Sequence, residues 1–328
     1  MQNELNSTDQ YDDEIDLREL FSVLWGGKKL IVGITAIFAL VAVFYALSIP
    51  NQYRATALVS PAQGSGGGLS GALGQLGGLA SLAGVSIGGG ESSEAQVAQE
   101  IMRSRGFIEE FISENNIDVE VFAAQGWDRG SNRLEINSDL YDVDSSLWLR
   151  DAPAGKTVGP TGWELYKSFS GMFSVSQDKK TGMISISVEY FSPEIAKQWV
   201  DQLVIGINQH MQSRKLDKVN INIQYLEAQI QKTSIAEMRE VFYTIIEEQI
   251  KSKMLAEASP EYAFVTVSPA MVPEEKSQPK RALICILGTL LGGMLAVLLV
   301  LVRHYAFNGN NKKYLVIRND ITKTPLRF

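Results

Sequence analysis

Two uncharged apolar runs stand near the two ends of the chain, at Leu30–Ile49 and Ala282–Val302. Each run is about 20 residues, which as a helix at about 1.5 Å per residue matches the roughly 30 Å hydrocarbon core of a bilayer. An acidic leader precedes the first run, and the run is longer than the apolar region of a signal peptide. The pattern therefore predicts transmembrane helices at 30–49 and 282–302, with residues 50–281 folded between them.

Between these runs, the spacing of apolar residues predicts several strands and a capped helix. Segments rich in β-branched residues that alternate with polar ones are typical of half-buried strands. Ser92 and Ser93 are good helix N-caps, and apolar positions from Val97 to Ile112 give the following helix one apolar face. Residues 115–165 show no clear period and predict only short elements. The strands are predicted at Tyr53–Val59, Met172–Ser176, Met183–Tyr190 and Ala263–Val267.

The strongest local signal is a long helical hairpin over about 193–258. Ser192, Pro193 and Glu194 provide a cap, a proline at the first helical position and an acid in the first turn. Ser234–Glu237 then has the spacing of a capping box for a second helix. A first helix of about 38 residues is about 57 Å long and projects from a compact domain, so its apolar stripe needs a partner. Further copies of the chain would supply one, which predicts a homo-oligomer.

Residues 64–90 are rich in glycine and carry no charge. Glycine disfavours a helix by up to about 1 kcal/mol per residue relative to alanine, although apolar residues recur here at helical spacing. Two interpretations are open: a mobile surface loop, or a small-residue surface that faces the membrane or the interior of an oligomer. The candidate oligomer-facing residues are Leu69, Leu73, Leu76, Ala80, Ala83 and Ile87.

Prolines and glycines cluster around the second span. The prolines stand just before it and predict a stiff approach to the membrane. The glycines stand within it, and small residues allow transmembrane helices to approach closely. The pattern therefore predicts a helix–helix contact inside the membrane. The residues are Pro269, Pro273, Pro279, Gly288, Gly292 and Gly293.

Charge at the flanks of the spans predicts an orientation. Positive residues in short flanks favour the cytoplasmic side, whereas loops longer than about 60 residues translocate largely regardless of charge. We therefore expect cytoplasmic tails, residues 1–29 and 303–328, and an extracytoplasmic domain, residues 50–281. The outer flanking residues are Arg18, Lys28, Lys29, Arg303, Lys312, Lys313 and Arg318.

Composition narrows the partners and the chemistry. The formal net charge is -7 and no cluster of Lys and Arg lies outside the membrane flanks, so nucleic acid is not an expected partner. Cys285 is the single cysteine, which excludes an intrachain disulfide. The two histidines, His210 and His304, are far apart in sequence and offer little for a metal site.

Catalytic motifs are weak throughout. The sequence has no GxxxxGK[ST] signature. Residues 66–71 match GxGxxG, but inside a glycine tract and without a following βαβ unit. Ser176–Lys179 and Ser277–Lys280 match SxxK without companion motifs. We therefore predict no catalytic, cofactor-binding or metal-binding residues and a protein that is not an enzyme. Three tryptophans are open to two interpretations, stacking on sugars or ordinary packing: Trp127, Trp148 and Trp163.

Five segments occur together in an order and spacing that are specific in combination. They are Asp16–Leu20 with Leu24-Trp25 and Lys28-Lys29 before the first span, Tyr53-Arg54-Ala55 at the start of the domain, Leu76–Gly84 in the glycine tract, Ile101-Met102-Arg103-Ser104-Arg105 in the next helix, and the three prolines with Gly292-Gly293-Met294 at the second span. In this combination the chain resembles the Wzz-type chain-length determinants, also called polysaccharide co-polymerases, over about residues 14–305.

The resemblance implies an α+β protein of the bacterial inner membrane, with two transmembrane helices that flank a periplasmic α/β base domain and a long protruding helical hairpin. Such proteins assemble into rings. They set the chain length of a surface polysaccharide, such as O-antigen, with a Wzy-type polymerase that acts on lipid-linked polysaccharide. One branch of the family adds a cytoplasmic tyrosine kinase. Because this chain ends shortly after its second span, it resembles the branch without one.

The leading hypothesis is therefore a non-enzymatic, oligomeric regulator of polysaccharide length. The alternative is an inner-membrane component of a polysaccharide export system, which has a similar topology. Two further classes are a periplasmic sensor, which normally carries a cytoplasmic output domain, and a membrane-tethered hydrolase or transferase.

Overall fold

The computed structural model describes residues 17–62, 90–152, 154–155 and 157–321. The glycine-rich segment predicted at 64–90 lies outside the described residues except for Gly90, and so do its six candidate oligomer-facing residues. The chain divides into two compact units, residues 1–49 with 279–328 and residues 50–278, and each is described by itself.

Helices and strands follow one another through the described residues in mixed order. The first are α1 (Leu17–Gly26), α2 (Lys28–Ser48), β1 (Tyr53–Pro61), α3 (Gly90–Arg103), α4 (Arg105–Asn115), α5 (Asp118–Ala123), β2 (Ala124–Asp128), β3 (Arg133–Ile136), β4 (Tyr141–Asp142) and β5 (Leu147–Trp148). The rest are α6 (Gly162–Met172), β6 (Phe173–Gln177), β7 (Ile184–Tyr190), α7 (Pro193–Lys232), α8 (Ala236–Glu257), β8 (Phe264–Ser268) and α9 (Arg281–Ile321).

The large unit is built on a four-stranded antiparallel sheet in the order β6-β7-β1-β8. Successive side chains of a strand point to opposite faces, and in β1 the alternate residues Ala55, Ala57 and Val59 are the buried ones. The predicted strands at 53–59, 172–176, 183–190 and 263–267 are all present, with ends shifted by one or two residues. Small side chains in β1 allow α7 to pack closely on the sheet.

The core lies where α7 crosses this sheet. Trp199, Leu203 and Ile207 from α7 are buried against β7, and Phe169 from α6 packs on Trp199 with ring centroids 5.8 Å apart. Asn208 is a polar residue buried at this core, only 3% exposed. Its amide donates to the carbonyl oxygens of Val204 and Phe264, and its Oδ1 accepts from the backbone of β8. Asn208 therefore fixes α7 to the edge strand.

The predicted single helix from Ser92 and Ser93 to Ile112 is wrong in two respects. The helix begins earlier, at Gly90, and it is two helices, because Ser104 leaves the helical conformation between α3 and α4. The Ser104 hydroxyl accepts a hydrogen bond from the Phe107 N–H and so caps α4. The apolar spacing continues across this break, which is why the spacing alone did not reveal it.

The predicted helical hairpin is present as α7 and α8. The start of α7 is as predicted, since the Ser192 hydroxyl accepts from the Ile195 N–H and Pro193 occupies the first turn. The predicted capping box at Ser234–Glu237 is wrong, because the N-cap is Ile235 and makes no side-chain capping bond. A capping box does form elsewhere, between Thr161 and Glu164 at the start of α6.

The smaller unit contains α1, α2 and α9. Two of its helical segments are long and apolar enough to cross a membrane, Lys28–Ser48 and Arg281–Tyr305. Helix α9 runs on to Ile321, past the predicted end of the second span at Val302, because no proline interrupts it. The predicted α+β class, with two candidate membrane helices and a long helical hairpin, is confirmed.

Candidate functional site

The glycines of the second candidate span pack directly on the first. A Cβ atom built on Gly288 would lie 2.5 Å from the Ala42 Cβ, and one built on Gly292 would lie 2.4 Å from the Phe38 Cβ. Neither distance can be reached by a real Cβ atom, so this approach of α9 to α2 requires glycine. Gly293 is different, because its nearest neighbour is the Thr35 Oγ1 at 3.8 Å.

The contact between the two helices continues to both ends and shows that they run antiparallel. Near the start of α2, a Cβ on Gly27 would lie 2.5 Å from the Val300 side chain. Near its end, the Arg281 Nε donates to the Ala46 carbonyl oxygen at 3.1 Å. Ala46 is 1% exposed. Gly288 and Gly292 of α9 therefore face α2 of the same chain.

Another face of α9 has a shallow apolar groove. The groove has a volume of about 780 Å³ and is lined by residues that include Ile286, Gly293 and Leu301. The Thr289 hydroxyl at its wall is satisfied within the helix, by the carbonyl oxygens of Cys285 and Ile286. In a bilayer such a surface faces acyl chains at no polar cost.

The three predicted prolines lie in the connection between β8 and α9. Pro269 directly follows β8 and is exposed, Pro273 is half-buried, and Pro279 is buried two residues before α9. Met271 and Val272 between them are 74% and 47% exposed. Because proline lacks an N–H and fixes φ, this segment neither extends the sheet nor joins the helix.

A polar cluster closes the end of the large unit where the chain enters and leaves it. We call Gln52, Arg54, Glu189, Ser277 and Gln278 the Glu189 cluster. Gln52 donates to the Gln278 carbonyl at 3.0 Å, and its own carbonyl accepts from the Ser277 N–H at 2.8 Å. Glu189 accepts from the Ser277 hydroxyl with one oxygen and pairs with the Arg54 guanidinium at 3.1 Å with the other. Ser277 of the SxxK match thus has a structural partner.

A second charged pair, not predicted from the sequence, stabilises residues 150–164. The Arg150 guanidinium pairs with Glu164 at 2.9 Å, and the two side chains are 9% and 18% exposed. Arg150 also donates to the carbonyl oxygens of Val158 and Gly159 and lies over the Phe122 ring. The segment has no period that would have revealed this pair, since its contacts depend on loop conformation.

The three tryptophans weighed as sugar contacts differ in exposure. The Trp127 indole donates to Asn132, and the Trp148 ring packs edge-on against Tyr141 at 4.9 Å. Both are half-buried. Trp163 is 53% exposed and carries the Arg105 guanidinium over its ring at 5.6 Å. Packing accounts for the first two.

In the large unit, hydrogen bonds in a turn or burial shift the pKa values of several side chains. Hydrogen bonds from the N–H groups of Lys180 and Thr181 lower the pKa of Asp178 in the β6–β7 turn. Burial raises the pKa of Tyr190, whose hydroxyl donates to the Glu120 carbonyl oxygen. Burial likewise raises the pKa of Tyr262 to about 12. These groups stabilise turns and packing and are not poised for proton transfer near neutral pH.

Apolar side chains are exposed along the outer part of the hairpin. In α7, Ile221 and Tyr225 lie one turn apart and are 64% and 63% exposed, and in α8, Val241 and Ile245 lie one turn apart and are 56% and 40% exposed. By contrast, Phe242 is half-buried. We call the four exposed side chains the hairpin apolar surface. Large exposed apolar patches typically mark interaction surfaces.

Within the described residues, no group of three or more His, Cys, Asp and Glu side chains is placed to hold a metal ion. His210 contacts Glu110 and the Phe107 ring, and His304 packs on Tyr305. The two histidines therefore have separate surroundings.

Comparison with protein families identifies two segments. Residues 13–115 match the Wzz family, described as "Chain length determinant protein". Residues 233–305 match the GNVR family, described as "G-rich domain on putative tyrosine kinase". The first match covers α1, α2, β1, α3 and α4, and the second covers the second helix of the hairpin, β8, the prolines and the second candidate span. The chain thus carries a Wzz chain length determinant domain, and the resemblance seen in its sequence is confirmed.

Individual relatives are similar over shorter or more distant alignments. The "ECA polysaccharide chain length modulation protein" of Salmonella typhimurium (strain LT2) is 43% identical over 47 residues, which span 14% of this chain and 14% of that protein. A solved "full-length bacterial polysaccharide co-polymerase" is 16% identical, with 89% of this chain and 99% of that one covered and a TM-score of 0.37. A WzzB fragment from Salmonella Typhimurium is 14% identical over 70% of this chain and all of that one, with a TM-score of 0.27. TM-scores this low support no conclusion about this chain.

Proposed function

We propose that this chain regulates the chain length of a surface polysaccharide at the bacterial inner membrane and catalyses no reaction itself. The Wzz domain over residues 13–115 carries the proposal. The paired candidate spans support it, because they tie both ends of the large unit to a membrane. In this proposal, O-antigen or a related lipid-linked polysaccharide is lengthened by a Wzy-type polymerase, and this chain sets where lengthening stops.

The proposed working form is a homo-oligomeric ring. The hairpin apolar surface supports this part, since four large apolar side chains on two neighbouring helices favour burial against another protein surface. In a closed ring each subunit would place this surface against a different, complementary surface of the next subunit, so that it is buried on every copy. In the proposed topology both tails are cytoplasmic and residues 50–281 are periplasmic, supported by positive residues at the outer ends of the spans.

The topology is tested by labelling a single cysteine in intact cells. In a Cys285→Ser background, a cysteine at Lys179 in the β6–β7 turn reports the large unit, and one at Arg18 reports the N-terminal side. With the outer membrane made permeable, an impermeant maleimide should label position 179 and not position 18. The reverse pattern would overturn the topology.

The function is tested by deleting the gene and comparing surface polysaccharide on a gel with that of cells in which the gene is restored. Length control predicts that a clustered band pattern becomes an unregulated ladder on deletion and returns on restoration. If band lengths are unchanged and total surface polysaccharide falls, the chain belongs to an export system. Turnover of a lipid-linked glycan by the purified protein would contradict the non-enzymatic part of the proposal.

A further inference from the structure

Helix α1 presents two stacked aromatic side chains to its surroundings. Phe21 is 65% exposed and Trp25 is 62% exposed, and their ring centroids lie 5.9 Å apart at an interplanar angle of 25°. The Lys28 Nζ lies 4.7 Å from the centre of the Trp25 ring. Spacings of four and three residues place the three side chains on one stripe of the chain. Exposing two large aromatic rings to water is costly, so the stripe needs an apolar partner.

The position of α1 is fixed by its opposite face. Leu20, Val23 and Leu24 are half-buried, and α1 contacts both α2 and α9. The junction at Gly27 leaves no room for a side chain beside Val300. The aromatic stripe is therefore held outward by packing within the small unit.

Length arithmetic places the stripe at the edge of a bilayer. Helix α2 has 21 residues, and at about 1.5 Å each it spans about 31 Å, close to the hydrocarbon thickness. Lys28 and Lys29 at its start belong at the boundary between acyl chains and headgroups, because long lysine side chains place their ammonium groups in the polar region. Trp25 and Phe21 then lie within the next turns outward, in the headgroup region.

Helix α9, which runs antiparallel to α2, also carries a cationic and an aromatic residue at the end where α2 begins. Val300 packs at Gly27, so Arg303 and Tyr305 lie just beyond that level on α9. Tyr305 is 52% exposed. Aromatic and cationic side chains at one level of a helix pair are the composition of a membrane–water interface.

We propose that α1 is an interfacial anchor, with the Phe21–Trp25 pair inserted at the boundary between phospholipid headgroups and acyl chains. The partner is the lipid interface itself, since the exposed pair is continuous with a candidate span and the Lys28 ammonium group lies over the Trp25 ring. The anchor sets how deep the two spans sit in the bilayer. The inference rests on the proposed membrane placement.

The test uses the native fluorescence of Trp25 in the full chain. Of the five tryptophans, only Trp25 belongs to the small unit. The protein and a Trp25→Phe variant are reconstituted in phosphatidylcholine vesicles whose acyl chains carry bromine either near the carbonyl or near the methyl end. In the wild-type protein, the bromines should quench a part of the fluorescence no larger than one tryptophan supplies. The shallow bromines should quench more of it than the deep ones. The variant should lack this quenched part. Equal quenching of both proteins would overturn the anchor.

A second label separates the anchor from the membrane placement. In a Cys285→Ser background, a nitroxide at Val41, which lies within α2 and is 61% exposed, should be accessible to oxygen and shielded from a polar nickel reagent. If position 41 is shielded and Trp25 is not quenched, the anchor is wrong and the span stands. If position 41 is open to the nickel reagent, the membrane placement itself fails, and the anchor with it.

Discussion

At the scale of single residues, two adjacent glycines of α9 have different consequences. Gly292→Ala places a methyl group where the Phe38 side chain already lies, whereas Gly293→Ala meets nothing nearer than 3.8 Å. Overpacking typically costs about 1–3 kcal/mol, while alanine in an open helical position gains up to about 1 kcal/mol over glycine. Gly292→Ala should therefore lower, and Gly293→Ala preserve or raise, the thermal midpoint of the protein in detergent. Equal midpoints would contradict the close packing of α9 on α2.

The Asp178 carboxylate should make the β6–β7 turn sensitive to acid. Its pKa is lowered from 3.8 by N–H donors that bind the charged form, so its stabilising effect is complete above that value and is lost as the pH falls further. Asp178→Asn keeps an acceptor oxygen but cannot titrate. The difference in free energy of unfolding between wild type and Asp178→Asn, from urea titrations between about pH 5 and about pH 3, should shrink towards acid pH. If this difference in free energy of unfolding stays constant with pH, the Asp178 carboxylate does not make the turn sensitive to acid.

The Arg150–Glu164 pair should behave as a buried pair. Removing one partner of a buried pair costs about 3–5 kcal/mol, with the upper end for full burial, and these side chains are 9% and 18% exposed. Arg150→Met should therefore destabilise the chain by about 2–4 kcal/mol in urea titrations. The matched control is Arg129→Met, whose side chain is exposed in the β2–β3 turn and should cost less than about 0.5 kcal/mol. Similar losses for both variants would mean that the pair is not stabilising.

At the scale of elements, the hairpin offers a test of oligomerisation. Tyr225→Glu with Val241→Glu places two charges on the hairpin apolar surface, where burial against another copy would desolvate them. The double variant should shift the protein in lipid nanodiscs to fewer subunits, as measured by mass photometry. Ser213→Glu with Gln231→Glu adds equal charge at exposed polar positions more than one turn from Ile221 and Tyr225 and should leave the subunit number unchanged. An unchanged subunit number in both variants would exclude this surface.

Helices were predictable from the sequence where the spacing of apolar residues and a capping residue indicated the same start. The start of α7 shows both, at Ser192 and in the stripe from Trp199 onward, and it formed as predicted. The capping box at Ser234–Glu237 failed because Ile235 makes the cap and α8 begins only at Ala236. Ser104 was missed because an unbroken apolar spacing hid a change of direction. Local signals compete, and tertiary packing decides between them.

The candidate site, too, was predictable from the sequence only in part. A packing face at Gly288 and Gly292 could be predicted from the sequence, because small residues four apart are an explicit pattern. The sequence left open which helix they meet, since the register of Ala42 and Phe38 opposite them depends on three-dimensional alignment. The Glu189 cluster joins residues from distant parts of the chain, and no local motif predicts such a meeting.

At the scale of the whole molecule, both spans are joined to the large unit through neighbouring residues. Gln52 and Gln278 are hydrogen-bonded to each other, so the strand that enters and the segment that leaves lie side by side. A pull that separates residues 50 and 278 would load this bridge first and break its hydrogen bonds one after another, as a zipper opens. Glu189, held by Ser277 and Arg54, is the next resistance. Forces that separate residues 50 and 278 would therefore open the large unit at this bridge, and tension between the two candidate spans would reach its sheet through the Glu189 cluster.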